Sequence, residues 1–320
     1  MHVRDDYGLP IAEADAHEAL AAHRAGDLPP VALIRVPEPP RDTWADLARA
    51  GFIRKPIWLS WRAPTPRSVD DYAARLARKA RQDLRRAIDR AADADVHIEV
   101  HQTLGADQLD PFLTLYESRV NGMAFGLSLA GPMRTGMIDN PTTFGVFAYE
   151  KGELVGGCVC REFPQDDSVW LLFSAVEARW REHSLARVIY LHAFEETRRR
   201  GYPEVTMGND PNLYGHVAKP GLFLFKTRLG FEPVPAKPVG RAPAGDFADL
   251  LLSVEALTTP VVILGYADGD SHADASTPRL TSHVFGAGPE IDINRYTTRT
   301  VDTASRVALP ARVTRATACP

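Results

Sequence analysis

Between Thr143 and Val234 the chain reads strand, turn, strand, turn, buried strand, helix, strand, helix, strand, and few folds accommodate that order. Thr143–Tyr149 and Leu154–Phe163 form a hairpin around the turn Glu150-Lys151-Gly152-Glu153. After a second turn at Pro164–Asp167, Val169–Val176 (VWLLFSAV) is a nearly unbroken apolar run, the pattern of a strand covered on both faces. Trp180–Arg200 then reads as a helix with Leu185, Val188, Ile189 and Ala193 on one face, closed by Gly201. Glu204–Gly208 is a strand, Gly221–Leu229 a short helix and Phe231–Val234 a strand. Antiparallel hairpins that feed one helical crossover into a parallel strand make a mixed sheet. A doubly wound nucleotide fold would show a helix after every strand.

Upstream, Ser68 followed by Asp70-Asp71 marks a helix start, and the helix is expected over Val69–Ala92. Leu76, Ala80, Leu84, Ala87, Ile88 and Ala91 recur at three and four and form its apolar stripe. The rest is basic: Arg75, Arg78, Lys79, Arg81, Arg85, Arg86 and Arg90 stand against Asp83 and Asp89. Val96–Val100 reads as a strand and Asp107–Met123 as a helix. Nearer the N-terminus the expectations are a helix over Ala12–Ala25, a strand over Val31–Val36, a helix over Thr43–Ala50 and a strand over Ile57–Trp61. Beyond Pro235, the residues Pro238, Pro243 and Gly245 mark a linker, Asp249–Val254 and Val261–Tyr266 read as strands, and Asp268–Pro278 as a polar loop. The expected division is an N-terminal α/β extension over 1–66, a central domain over 67–235, a β-rich extension over 236–296 and a tail over 297–320 that either lacks fixed structure or drapes across a neighbour.

Composition removes other classes. An apolar fraction of 45% with 24% charged residues is that of a globular chain, not a disordered or collagenous one. No run of eighteen apolar residues reads as a membrane span, and acids near the N-terminus (MHVRDDYGLP) argue against a secretory signal. A net charge of −4 confines any nucleic-acid-binding surface to a local patch. Three cysteines cannot all pair, and Cys158 and Cys160 lie two apart on one strand face, so a reduced cytoplasmic protein is expected. No Cys/His spacing resembles a metal site.

At Arg181-Glu182-His183-Ser184-Leu185-Ala186 the chain resembles the GCN5-related N-acetyltransferase (GNAT) superfamily, whose phosphate loop reads Arg/Gln-x-x-Gly-x-Gly/Ala. Arg181 and Ala186 match, whereas Ser184 stands where glycine is usual. Pro220–Phe231, with Gly221-Leu222, Phe225-Lys226 and Gly230, resembles the G-L-x-x-F-K-x-x-x-G segment of the BioF2-like and Fem-like branch, and the basic segment Arg78–Ala91 resembles that branch's N-terminal helix. The resemblance covers roughly Asp70 to Pro235. It implies an α/β (α+β) GNAT fold: a mixed central sheet with a splayed strand and flanking helices, to which N- and C-terminal extensions are added.

The resemblance also implies acyl transfer to an amine, with acyl-CoA as co-substrate and no metal. Phe173, Ser174, Ala175 and Val176 would hold the donor along the splayed strand, and Arg181, His183, Ser184, Leu185 and Ala186 would hold its diphosphate at a helix N-terminus. Ordinary family members place a tyrosine acid five residues before the final Gly-Phe phenylalanine; here that position is Lys226, a charge suited to an oxyanion or a phosphate. Asp210 is the candidate amine-binding or general-base carboxylate, with Glu177 competing for that role; Tyr214, Asn209 and Lys219 complete the acceptor side. The partner is then a small amino-acid-like amine, and the protein a monomer or homodimer. Two other readings stay open: a Fem-like transferase using aminoacyl-tRNA, with the basic helix meeting tRNA, and a degenerate, non-catalytic ligand-binding relative.

Overall fold

The computed structural model describes residues 1–123, 128–236, 245–267, 278–286 and 288–310. In chain order the elements are β1 (His2–Asp6), β2 (Leu9–Glu13), α1 (Ala16–Ala25), β3 (Leu33–Pro37), α2 (Trp44–Arg49), β4 (Ile53–Pro56), β5 (Trp58–Pro64), α3 (Val69–Arg75), α4 (Arg78–Asp93), β6 (Val96–His101), α5 (Ala106–Asn121) and α6 (Ala130–Met133). They continue with β7 (Thr143–Glu150), β8 (Glu153–Phe163), β9 (Ser168–Val176), α7 (Ala178–Arg181), α8 (Leu185–Arg199), β10 (Glu204–Pro211), α9 (Pro220–Arg228), β11 (Glu232–Pro235), β12 (Asp246–Leu251), β13 (Val261–Tyr266), β14 (Leu280–Phe285) and β15 (Val301–Arg306). Two compact units result. A central unit holds Trp61–Gly208 and Arg228–Phe231; a terminal unit holds Met1–Ser60, Asn209–Thr227 and the described residues from Glu232 onward.

The central unit is the mixed sheet that the sequence pattern predicts. Its strand order is β5-β10-β9-β8-β7-β6. The β6–β7, β7–β8 and β8–β9 pairs are antiparallel, and β9–β10 is parallel. α5 covers one face through Leu109, Phe112 and Leu113, which pack with Phe147, Val159 and Phe173. The sheet has no side chain at Gly157, because a Cβ there would lie 2.4 Å from the Phe147 ring. α8 buries Leu185, Val188, Ile189, Ala193 and Phe194, and α4 buries Ala80, Leu84, Ala87 and Ala91, the expected stripe. Burying each large aliphatic side chain contributes roughly 1.5–3 kcal/mol.

Two expected helices are broken. The helix over Val69–Ala92 divides at Leu76, whose extended backbone (ψ 146°) separates α3 from α4 while its side chain enters the core at 4% exposure. The helix over Trp180–Arg200 divides into α7 and α8 at Ser184, which adopts a left-handed conformation.

In the terminal unit the sheet order is β1-β2-β3-β12-β4, with β12 antiparallel to both β3 and β4. The segments expected as separate N- and C-terminal extensions are thus interleaved in one sheet. Asp249 of β12 is its electrostatic pin. Its carboxylate accepts from Arg35 at 2.8 and 2.9 Å and lies 3.0 Å from Lys55 Nζ, all three being buried. Burial alone would raise Asp249, but the two cations outweigh it and hold it at about 2; burial brings Lys55 down to about 8. The N-terminal helix begins at Ala16, capped by Asp15, later than expected, because Leu9–Glu13 is spent on β2. A second sheet pairs β13, β14 and β15. β15 lies within the tail expected to lack fixed structure or to drape across a neighbour, and it pairs in parallel with β14. The rest of that tail from residue 311, the linker prolines Pro238 and Pro243, and most of the Asp268–Pro278 loop lie outside the described residues.

Candidate active site

β9 and β10 pair over only three residues: Glu204 with Ser168, Val205 with Val169 and Thr206 with Trp170. Beyond Trp170, β9 keeps its antiparallel bonds to β8 as far as Val176, opposite Gly156, but has no register with β10. Leu171–Val176 therefore offer one edge of backbone groups to something other than a neighbouring strand. Gly208, with φ +68°, lets β10 bend just past the parting. Thr206 Oγ1, at the fork, is buried with no hydrogen-bond partner among the described residues. On β9, Phe173 packs edge-on against Tyr116 at 5.3 Å, and Ser174 Oγ accepts from the Tyr190 hydroxyl at 3.0 Å. Burial pushes the Tyr190 hydroxyl above its ordinary value, so it stays protonated.

The chain leaves β9 through Glu177, whose N–H donates to Val155 at 2.9 Å and whose carboxylate accepts from Arg179 Nε at 2.9 Å. α7 follows, and Ser184 N–H closes on the Arg181 carbonyl at 3.0 Å. Ser184 sits at φ 59°, ψ 31°, the region open to glycine at little cost, and its hydroxyl makes no capping bond to α8. This explains why the matching family motif uses glycine there. The first turn of α8 contains no acid, so its amides and partial positive charge meet no acidic side chain of their own turn. Leu185 is fully buried, which leaves its amide rather than its side chain for any ligand; Ala186 is half-buried. Arg181 is exposed, and burial together with the like charge of Arg181 lowers Arg119 on α5. Two cations thus share this end of the unit. His183 is not directed at α8: its Nδ1 lies 2.6 Å from Arg90 Nη1 and its ring stands edge-on to Trp180.

Three of the candidate residues, Lys226 and two expected on the acceptor side, meet in the terminal unit. Lys226 Nζ donates to Asp210 Oδ1 at 2.7 Å, and the Tyr214 hydroxyl donates to Asp210 Oδ2 at 3.1 Å. Tyr214 is fully buried, with Asp210 at 5% and Lys226 at 6% exposure. Burial lowers Lys226 below the ordinary lysine range, and Asp210 opposes that shift. Both carboxylate oxygens are therefore occupied, and the lysine charge is matched. Lys219 Nζ donates to Thr258 Oγ1 at 3.1 Å, while Asn209 Oδ1 is buried without a partner among the described residues. Glu177 belongs to the central unit and is bonded to Arg179 there.

Asn212 had no place in the sequence reading. It is 1% exposed and its side chain donates to Pro56 and Leu264 and accepts from the Leu264 amide, while its carbonyl takes Lys55 Nζ at 2.6 Å. It pins the stretch between Asp210 and Tyr214, and the run Asn209-Asp210-Pro211-Asn212 was the only local hint.

Residues 115–215 match the family model described as "Acetyltransferase (GNAT) family". Over those residues the chain is similar to a GNAT-family acetyltransferase domain. The match runs from α5 through the parted strands to Gly215 and so contains both β9 and the α7–α8 turn. No curated protein matches this chain. Among solved structures it is similar to FemX (12% identity, 76% of this chain and 81% of that one, TM-score 0.42) and to L-PGS from Bacillus licheniformis (12%, 75% and 77%, TM-score 0.42). It is also similar to an aminoglycoside acetyltransferase from an uncultured soil metagenomic sample, solved with sisomicin (15%, 48% and 97%, TM-score 0.34). These likenesses are shallow and carry no conclusion about substrate. Among the described residues no helix is long and apolar enough to cross a membrane.

Proposed function

We propose that the protein transfers an acyl group from acyl-CoA to the amine of a small amino-acid-like acceptor. The parting of β9 from β10 after Trp170, within the matched GNAT region, carries this reading. The free edge of Leu171–Val176 suits the pantetheine amides of a CoA donor, and the first-turn amides of α8, with Arg181 and Arg119 nearby, suit its diphosphate. In the reaction the neutral amine attacks the thioester carbonyl. The new C–N bond forms, the C–S bond breaks, CoA leaves as thiolate and the amine gives up a proton. Asp210 is the acceptor-side carboxylate in this reading. It accepts from Lys226 and Tyr214, and Asn209 Oδ1 beside it offers an acceptor for an N–H of the amine. Glu177 remains the competing base.

CoA at saturating concentration is expected to raise the melting temperature, and Arg181→Glu to remove the shift. Absence of a shift with CoA or any CoA ester would count against the reading. A second reading, transfer from aminoacyl-tRNA, is favoured by α4, on which Arg78, Lys79, Arg85, Arg86 and Arg90 are all exposed. Under it, activity disappears on RNase treatment and binding weakens steeply with salt. Full activity after charge reversal at Arg85 and Arg86 would exclude it.

A further inference from the structure

The terminal unit contains a cavity of about 350 Å³ that no residue of the candidate active site lines. Its walls come from α2 (Trp44, Leu47), the turn after it (Phe52), β4 (Arg54), β13 (Tyr266) and β14 (His283), and Ala48 and Gly51 are exposed at its mouth. The volume lies at the low end of small-molecule sites, enough for a molecule of one or two rings.

Most of the polar groups around it are already engaged. The Trp44 indole donates to the Pro39 carbonyl at 2.8 Å, so it presents only its ring surface. Arg54 lies over the Trp44 ring at 3.2 Å and over the Tyr266 ring at 4.9 Å. Its Nη2 donates to Asp246 at 2.6 Å, and the Tyr266 hydroxyl donates to the other oxygen of the same carboxylate at 2.6 Å. The guanidinium is therefore paired with a carboxylate and lies against two rings, and the site holds no bare charge for an ionic ligand to meet.

His283 is different. It lines the cavity, is half-buried, and its imidazole makes no hydrogen bond among the described residues. Gly265 makes room for it, since a Cβ at that position would lie 2.8 Å from His283 Nε2. Burial brings its pKa down to about 4, so at neutral pH the ring has one N–H donor and one bare acceptor nitrogen. A polar group in an aromatic-walled cavity without a protein partner is a specificity element for an incoming molecule.

We propose that this cavity binds an uncharged aromatic molecule of one or two rings, whose N–H or O–H bonds to the His283 imidazole while its ring packs against Trp44, Phe52 and Tyr266. The site is independent of the acyl-transfer reading.

The test uses the full chain, with indole and phenol as probes and benzoate and tryptamine as charged counterparts. Binding is followed through the NMR signals of the His283 imidazole. Indole is expected to saturate the shift below about 5 mM, with benzoate and tryptamine markedly weaker. His283→Phe, which keeps a ring and removes the bond, is expected to weaken indole by about tenfold. Ala48→Trp at the exposed mouth is expected to block indole while leaving the melting temperature unchanged. Absence of saturable indole binding, equal binding of benzoate, or unchanged indole affinity in a folded His283→Phe protein would each overturn the proposal.

Discussion

Ser184 shows most directly how one side chain records a constraint on the backbone. At φ 59° it occupies a conformation that costs a non-glycine residue roughly 1–2 kcal/mol. Ser184→Gly is accordingly expected to stabilise the protein by roughly 0.5–1 kcal/mol in denaturant titration, and Ser184→Val to destabilise it by more. The buried pair of Lys226 and Asp210 obeys a different rule. Lys226→Met strands a buried carboxylate with Tyr214 as its remaining donor, at a cost of about 3–5 kcal/mol. Asp210→Asn combined with Lys226→Met removes the charge as well, so the double variant should be more stable than Lys226→Met alone. Equal stability of the two in urea unfolding would show that the ion pair is not what the fold depends on.

Two elements in the terminal unit titrate in separate acid windows. His283 on β14 is neutral when folded and has a pKa of about 4, below its ordinary 6.5, so between these values the unfolded chain binds more protons and stability falls as pH falls. The loss is at most about 3 kcal/mol. Asp249 on β12 contributes stability above 3.8 that disappears as pH falls toward about 2. His283→Phe should flatten the upper acid limb and leave the lower one, as read from urea midpoints across pH. The order of strands and helices from Thr143 to Val234 was legible in the sequence because each element carries its own apolar period and turn. The break at Ser184 was not legible, since Trp180–Arg200 keeps helical periodicity on both sides of it. β15 was invisible for another reason: in VDTASR only Val301 is buried, so no period exists, and its pairing with β14 alone creates the strand. At the site, Lys226 was legible as a candidate from motif spacing, and Asp210 and Tyr214 from their place after the strand that follows the crossover helix. Their mutual bonding was not, because it depends on how α9 folds back on the end of β10.

For the molecule as a whole, the central claim is that the parted edge of β9 and the first turn of α8 hold a CoA donor. CoA carries the diphosphate common to every acyl-CoA, so it tests the claim without knowledge of the acyl group. The most direct measurement is amide hydrogen exchange with and without saturating CoA. The account predicts added protection at Leu171–Val176 and at the amides opening α8, with β1 and β2 unchanged. Bound CoA that leaves both segments exchanging at their free rates would contradict it.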